Sequence, residues 1–168
     1  MLNNNIDRPP ILEITVLSAQ GLMRKSSLAF SRRLRPFITL SAATAGGGRH
    51  CKTYRTRVDE KGGLNPTWGD KFQLPIDQSF FYPGIYLQLY TKNLLMGRTQ
   101  LGWCLIPAAD IVNRFSPVGS TGFLSYRLRE KDGSRGHGVV NVAVRLEGLP
   151  VGVNVSEQFV NVGIPVKL

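Results

Sequence analysis

The sequence predicts an all-β domain, an eight-stranded antiparallel β-sandwich, on three observations. Short runs rich in β-branched and aromatic residues recur along the chain, turn residues separate them, and no long amphipathic helical pattern interrupts them. The runs fall at 11–17, 36–40, 52–58, 71–76, 85–90, 101–106, 123–128 and 138–146. The first, Ile-Leu-Glu-Ile-Thr-Val-Leu, is dense in branched residues, and 36–40 is a second of the same kind. Run 52–58 holds β-formers but alternates polar residues on both faces, which predicts an exposed strand. Run 71–76 alternates cleanly, 85–90 is strongly β-forming, and the last three complete the set. Gly46-Gly47-Gly48, Gly62-Gly63, Asn65-Pro66, Pro83-Gly84 and Asp132-Gly133 supply turn chemistry between them. Ala108 to Val112, after Pro107, is expected to form one helical turn.

Composition bounds the function. At 168 residues, 42% of them hydrophobic, the chain has one domain's worth of core and is not globally disordered. The expected division is a leader over 1–10, the folded domain over 11–147, and a tail over 148–168 compatible with either a strand or disorder. Cys51 and Cys104 do not make a disulfide framework, and no secretory signal is evident, so a reduced, cytoplasmic setting is expected. No apolar run approaches the roughly 18 residues that span a bilayer, and no lipidation motif is present, so any membrane contact is expected to be peripheral.

Charge is lopsided. The net charge is +10, and from position 14 to position 58 there is no acidic residue but nine cations: Arg24, Lys25, Arg32, Arg33, Arg35, Arg49, Lys52, Arg55 and Arg57. Such an excess costs self-repulsion in the compact state, and binding of an anion relieves it. Leu28, Ala29 and Phe30 lie among the first five of these cations, a mixture that suits an anionic membrane surface.

At Leu64-Asn65-Pro66-Thr67-Trp68-Gly69-Asp70-Lys71-Phe72 the pattern resembles the middle of a C2 domain. Asn65 and Pro66 are suited to set the turn, and Trp68 to plug the end of the sandwich. The run from Leu12 to Leu22 is similar to the first strand of that family, Arg35-Pro36-Phe37-Ile38 to the start of its second, and Leu101-Gly102 to the opening of its sixth. The resemblance covers about residues 11–147 and implies the C2 fold, with the type II strand order. The stretch from Arg57 to Pro66 is especially similar to small plant C2 proteins of the BON-associated (copine-associated) and cold-regulated type.

One departure from the family is informative. Its calcium sites draw about five aspartates from two loops, because calcium takes six to eight oxygen ligands. Here the matching positions are near Lys25 or Ser26 and at Arg35 in the first loop, and near Thr91, Asn93 and Thr99 in the third. Between Tyr90 and Leu101 the only charged residues are Lys92 and Arg98. Calcium is therefore not expected to bind, and no metal or other cofactor is expected.

The chain is also expected to be a non-enzyme with no small-molecule substrate. His50 and His137 read as exposed loop residues, His50-Cys51 lacks the ligand number zinc requires, and Gly46-Gly47-Gly48 lacks the lysine of a phosphate-binding loop. The reading favoured instead is a calcium-independent peripheral membrane module acting as a signalling adaptor at the plasma membrane. Arg24, Lys25, Arg32, Arg33, Arg35, Lys92 and Arg98 are the candidate headgroup contacts, and Leu28, Phe30, Leu94, Leu95 and Met96 the candidate inserting tips. Leu94 to Met96 folded back over the sandwich end is the alternative for that tip, and Leu22 and Met23 are assigned to the core. Lys52, Arg55 and Arg57 form a second basic patch. Strand alternation puts Arg55 and Arg57 on one face and Lys52 on the other, so they do not serve one flat site. The family resemblance implies inositol-phosphate headgroups there, while charges guarding a solvated edge strand are an equal alternative. The resemblance also implies a rival function, an adaptor for a copine-type protein partner that restrains defence or cell-death signalling. Nucleic-acid binding through the basic stretch ranks third, because its aromatics are not interleaved as a stacking platform.

Overall fold

Side-chain alternation decides which face of each run is buried. In β1 (Ile11–Gln20) Leu12, Ile14 and Val16 are fully buried, and a bulge between Val16 and Ser18 then resets the alternation so that Ala19 turns inward. The computed structural model describes residues 10–24, 33–44, 52–75, 83–94, 97–112 and 119–148. After β1 follow β2 (Pro36–Thr44), β3 (Thr53–Arg55), β4 (Thr67–Pro75), β5 (Pro83–Asn93) and β6 (Gly97–Pro107). The helical turn α1 (Ala108–Val112), β7 (Thr121–Arg129) and β8 (Arg135–Glu147) complete the order.

The hydrogen-bonded order is β3-β2-β5-β6-β7-β8-β1-β4, with every pair antiparallel. β6 and β7 meet only where Trp103 faces Arg129, so the eight strands divide there into two layers, β3-β2-β5-β6 and β7-β8-β1-β4. Ile38, Leu40, Leu87 and Leu89 of one layer and Leu12, Ile14, Val142 and Val144 of the other are buried in one core. This is the predicted sandwich.

Each side of the sandwich has its own closure. At the β6–β7 corner the Trp103 Nε1–H donates to the Glu130 carbonyl at 2.7 Å while its ring rests against Tyr86, centroids 5.8 Å apart. On the opposite side β3 reaches across to β4: the Tyr54 hydroxyl donates to the Gln73 carbonyl at 3.1 Å, and the Tyr54 and Phe72 rings meet at 5.7 Å. Trp103→Phe keeps an aromatic ring and loses the corner hydrogen bond. It is expected to cost about 1 kcal/mol, read as a fall of roughly 2–4 °C in thermal denaturation.

Several boundaries differ from the sequence expectation, each for a local reason. β3 is only Thr53–Arg55. Beyond it the buried Thr56 hydroxyl takes the Ile38 N–H at 2.9 Å in place of a backbone carbonyl, which ends the ladder. β4 starts at Thr67, directly after the Asn65-Pro66 turn, and pairs with β1 from Ser18 onward. β5 and β6 extend into a hairpin that reaches Asn93 and Gly97. His137, expected in a loop, lies on β8 and is exposed.

Glycine matters where β8 meets the end of β1. At Gly138 (φ +93°) an added Cβ would stand 2.9 Å from Leu22 Cδ2 and 3.1 Å from the Gln20 carbonyl oxygen. The missing side chain lets Leu22 enter the core, where it is 3% exposed.

Candidate functional site

Since β1, β3, β5 and β7 run in one direction, the connections 21–35, 56–66, 94–96 and 130–134 all leave from the same end of the sandwich. Backbone hydrogen bonds tie the first two together: Ala19 N–H to the Pro66 carbonyl at 2.9 Å, Leu22 N–H to the Leu64 carbonyl at 3.1 Å, and Asp59 N–H to the Pro36 carbonyl at 2.8 Å. The Asn65 side-chain carbonyl also accepts the Gly21 N–H at 3.0 Å. Asn65 thus sets its turn by holding the neighbouring connection, and Trp68 is buried behind it.

The 56–66 connection is built on one carboxylate. Asp59 accepts backbone N–H bonds from Lys61 at 2.8 Å, Gly62 at 2.7 Å and Thr67 at 2.8 Å. Burial pushes this carboxyl up, but the Thr67, Lys61 and Gly62 donors and the nearby Arg33 charge outweigh it and hold it below the ordinary aspartate range.

The predicted headgroup cations separate into different kinds. Arg35 is paired within the chain, at the surface. Its guanidinium forms a two-point ion pair with Glu60, with Nη2 donating to Oε1 at 2.7 Å, and its backbone N–H donates to Thr91 Oγ1 at 3.0 Å. The hydrogen bond from Arg35 holds the Glu60 carboxyl below its ordinary range. Arg35 therefore fastens the first connection to the second instead of standing as an uncompensated cation. Arg33 is exposed and donates through Nη2 to the Lys61 carbonyl. Arg24 is exposed and borders a small cavity of about 110 Å³ with Leu22, Met23, Leu101, Glu130 and His137.

Lys92 and Arg98 are both exposed and face each other as direct cross-strand partners on the β5–β6 hairpin. At its tip Leu94 is 91% exposed, so this leucine does not fold back over the sandwich end. Lys25, Arg32, Leu28, Phe30, Leu95 and Met96 lie outside the described residues.

The second basic patch goes three ways. Arg57 is a latch: it donates to Asp70 through both its backbone N–H (2.7 Å) and its Nε (2.8 Å), and its Nη2 donates to the Trp68 carbonyl at 2.8 Å. Lys52 Nζ stands over the Tyr54 ring at 4.9 Å. The Arg55 guanidinium lies over Phe37 at 4.0 Å, Phe37 stacks on Tyr90 at 5.5 Å, and Arg98 lies over Tyr90 at 4.5 Å. Arg55–Phe37–Tyr90–Arg98 is thus a continuous row across the outer face of β3-β2-β5-β6, joining the second patch to the third connection.

Two apolar residues at this end were not foreseen. Met23, assigned to the core, is 54% exposed, and Leu64 is 44% exposed. The Leu22–Leu64 backbone bond holds them side by side in the chain path, and only tertiary pairing reveals that.

At the corner where the family's calcium ligands would stand, the described oxygen donors are Thr91, Asn93, Thr99 and Glu60. The Asn93 Nδ2 donates to Thr99 Oγ1 at 2.6 Å, Thr91 Oγ1 is bound by Arg35, and Glu60 is held by the Arg35 guanidinium. Asn93 Oδ1 is buried without a hydrogen-bond partner, and Glu60 is the one carboxylate among these four groups, where calcium takes six to eight oxygen ligands. No group of three or more His, Cys, Asp or Glu side chains is placed to hold a metal among the described residues. Burial pushes the Cys104 thiol up to about 12, which leaves it without thiolate at neutral pH.

The fold is a two-layer antiparallel sandwich that carries exposed cations and the exposed apolar Met23, Leu64 and Leu94 at one loop end. The chain belongs to the C2 domain family, whose profile matches residues 10–121. It is 32% identical over 139 residues to BON1-associated protein 2 of Arabidopsis thaliana, an alignment spanning 81% of this chain and 61% of that relative's length. Among solved structures it is similar to a C2 domain of a plant extended synaptotagmin 1, with a TM-score of 0.63 and 18% identity over 85% of this chain and 98% of that one. It is also similar to BON1-C2B, with a TM-score of 0.53 and 15% identity over 87% of this chain and 94% of that one. At such identities these structures establish the fold alone. No helix among the described residues is long and apolar enough to cross a membrane.

Proposed function

We propose that this C2 domain is a calcium-independent peripheral module that binds anionic phospholipid through its loop end, at the cytoplasmic face of the plasma membrane, without catalysing a reaction. The observation that carries the reading is the β5–β6 hairpin, where Lys92 faces Arg98 and the tip between them bears Leu94 at 91% exposure. Like charges directly opposite each other on a sheet are destabilising, and an exposed leucine gains nothing from water. An anionic interface relieves both, with phosphates beside the cations and the leucine in the headgroup boundary. Met23 and Leu64 add apolar surface at the same end, and Arg24 and Arg33 add charge. The donor set at the calcium corner supports independence from calcium.

Cosedimentation with phosphatidylserine-containing and neutral vesicles, in chelator, tests this. Binding is expected only to the anionic vesicles and is expected to fall as salt rises. Leu94→Ser is expected to weaken it about tenfold, the loss of one buried leucine side chain, with the salt slope unchanged. Equal binding to neutral vesicles, or a strict calcium requirement, defeats the proposal.

A second reading is favoured by a specific observation, the 32% identity to a protein named for its association with BON1. In that reading the domain is an adaptor for a copine-type partner in defence or cell-death signalling, with little lipid affinity of its own. Retention of partner binding alongside failure on every vesicle would select it.

A further inference from the structure

We propose that the outward face of β7, with the facing residues of β8, is a docking surface for an acidic, apolar-bearing segment of a partner protein. Its Phe123 end lies far from the loop-end site, Arg129 and Arg135 flank the 130–134 connection, and the proposal does not depend on the lipid reading. Alternation along β7 turns Phe123, Ser125, Arg127 and Arg129 to the outside on one line, about 20 Å long at the rise of a strand. Phe123 is 68% exposed and faces Ala143 across the strand pair. Arg129 faces Arg135 directly, a second like-charge cross-strand pair. Arg129 Nη1 also donates to the Gly133 carbonyl at 3.0 Å, so an uncovered phenylalanine and a like-charged pair of arginines, one of them held by its turn, share one stripe.

The ground between them is already satisfied. Ser125 Oγ donates to Asn141 Oδ1 at 2.7 Å, and Asn141 Nδ2 donates to Ser18 Oγ at 3.0 Å, a polar row that lies across three strands. Such a row offers a flat, ordered floor and demands no partner of its own. An aromatic anchor flanked by arginines on a flat floor is the composition of a protein-binding hot spot.

Charge selects the occupant. A second copy of this chain brings the same cations and a net charge of +10, so self-association on this face is opposed. A membrane touching the loop tips meets the hairpin but not Phe123, which stands near the start of β7, at the far end of the strand. A carboxylate-bearing segment that places an apolar side chain on Phe123 answers both features together.

The test uses the full chain and a short synthetic peptide of alternating Glu and Leu, with a Lys/Leu peptide, phosphatidylserine vesicles and a single-stranded oligonucleotide as comparators. The Glu/Leu peptide is expected to bind and to shift amide resonances of β7 and β8. Phe123→Ser and Arg127→Glu are each expected to weaken it about tenfold, with the melting temperature and vesicle binding unchanged. Failure of the peptide to bind, or binding unaffected by both variants, overturns the proposal. It is also overturned if Phe123→Ser reduces vesicle or oligonucleotide binding equally, or if it dissolves a dimer.

Discussion

Lys92→Glu is expected to leave the fold's stability within about 0.5 kcal/mol of the parent while cutting affinity for anionic vesicles roughly thirtyfold at low salt. The two halves of this result have separate causes. Lys92 is exposed and stands opposite Arg98, so a glutamate there exchanges a repulsive cross-strand pair for an attractive one. The new carboxylate also comes near Glu60, which feels the Lys92 charge, but Arg35 already neutralises that group. The gain and the cost nearly cancel. At the membrane they do not, because the reversal removes one attraction and adds one repulsion, together about 2 kcal/mol. Raising the salt should shrink the defect, since the interaction is screened. Arg57→Gln is the informative contrast. Its ion pair with Asp70 and its bond to the Trp68 carbonyl belong to the fold, so it should cost about 1 kcal/mol of stability and change vesicle affinity about twofold or less. Thermal denaturation and cosedimentation on the two variants settle the assignment. A destabilised Lys92→Glu with intact vesicle binding would return that cation to the fold.

Much of this was legible in the sequence because strands write themselves locally. Ile11 to Leu17, Ile85 to Tyr90 and Gly138 to Leu146 carry their faces in their own alternation, and Pro107 followed by Ala108 announces the helical turn. Asn65-Pro66 before Trp68 likewise names the turn and the plug. The chemistry of the cations was not local. Arg35 looked free because Glu60 stands 25 residues away and meets it only when two connections come together. Arg57 looked like Arg55 until the chain left the ladder at Thr56 and turned it toward Asp70. The Arg55–Phe37–Tyr90–Arg98 row depends on the register of several strands and a bulge after Leu89. Period-two spacing of Phe123, Ser125 and Arg127 was readable in principle. Knowing that this face points away from the core required Leu124 and Leu128 to be seen buried.

Asp59→Ala is expected to be the most disruptive exposed-loop substitution, costing about 2–3 kcal/mol and roughly 5–10 °C of melting temperature. Its carboxylate is the shared acceptor for the backbone donors of Lys61, Gly62 and Thr67, and no alanine can replace it. The turn around it has little room to adapt, since a Cβ at Gly62 would meet Asp59 Oδ2 at 2.3 Å and the Pro66 Cα at 2.4 Å. Asp59→Asn should fall between the parent and the alanine variant, because one amide oxygen can still accept the Lys61 and Gly62 donors while the charge facing Arg33 is lost. The folded carboxyl lies below its unfolded value, so its contribution is complete above the unfolded pKa of about 3.9 and is lost as pH falls through the folded one. The parent should therefore lose stability on acidification below about pH 4, and that part of the slope should flatten in Asp59→Ala. The loop-end site should weaken with it. Glu60 follows Asp59 directly and holds Arg35, so loosening the turn frees the pair that fastens the first connection to the second. A variant that loses stability yet keeps full vesicle affinity would separate the scaffold of this loop from the binding surface. A matched loss in both places Asp59 beneath the site as its support.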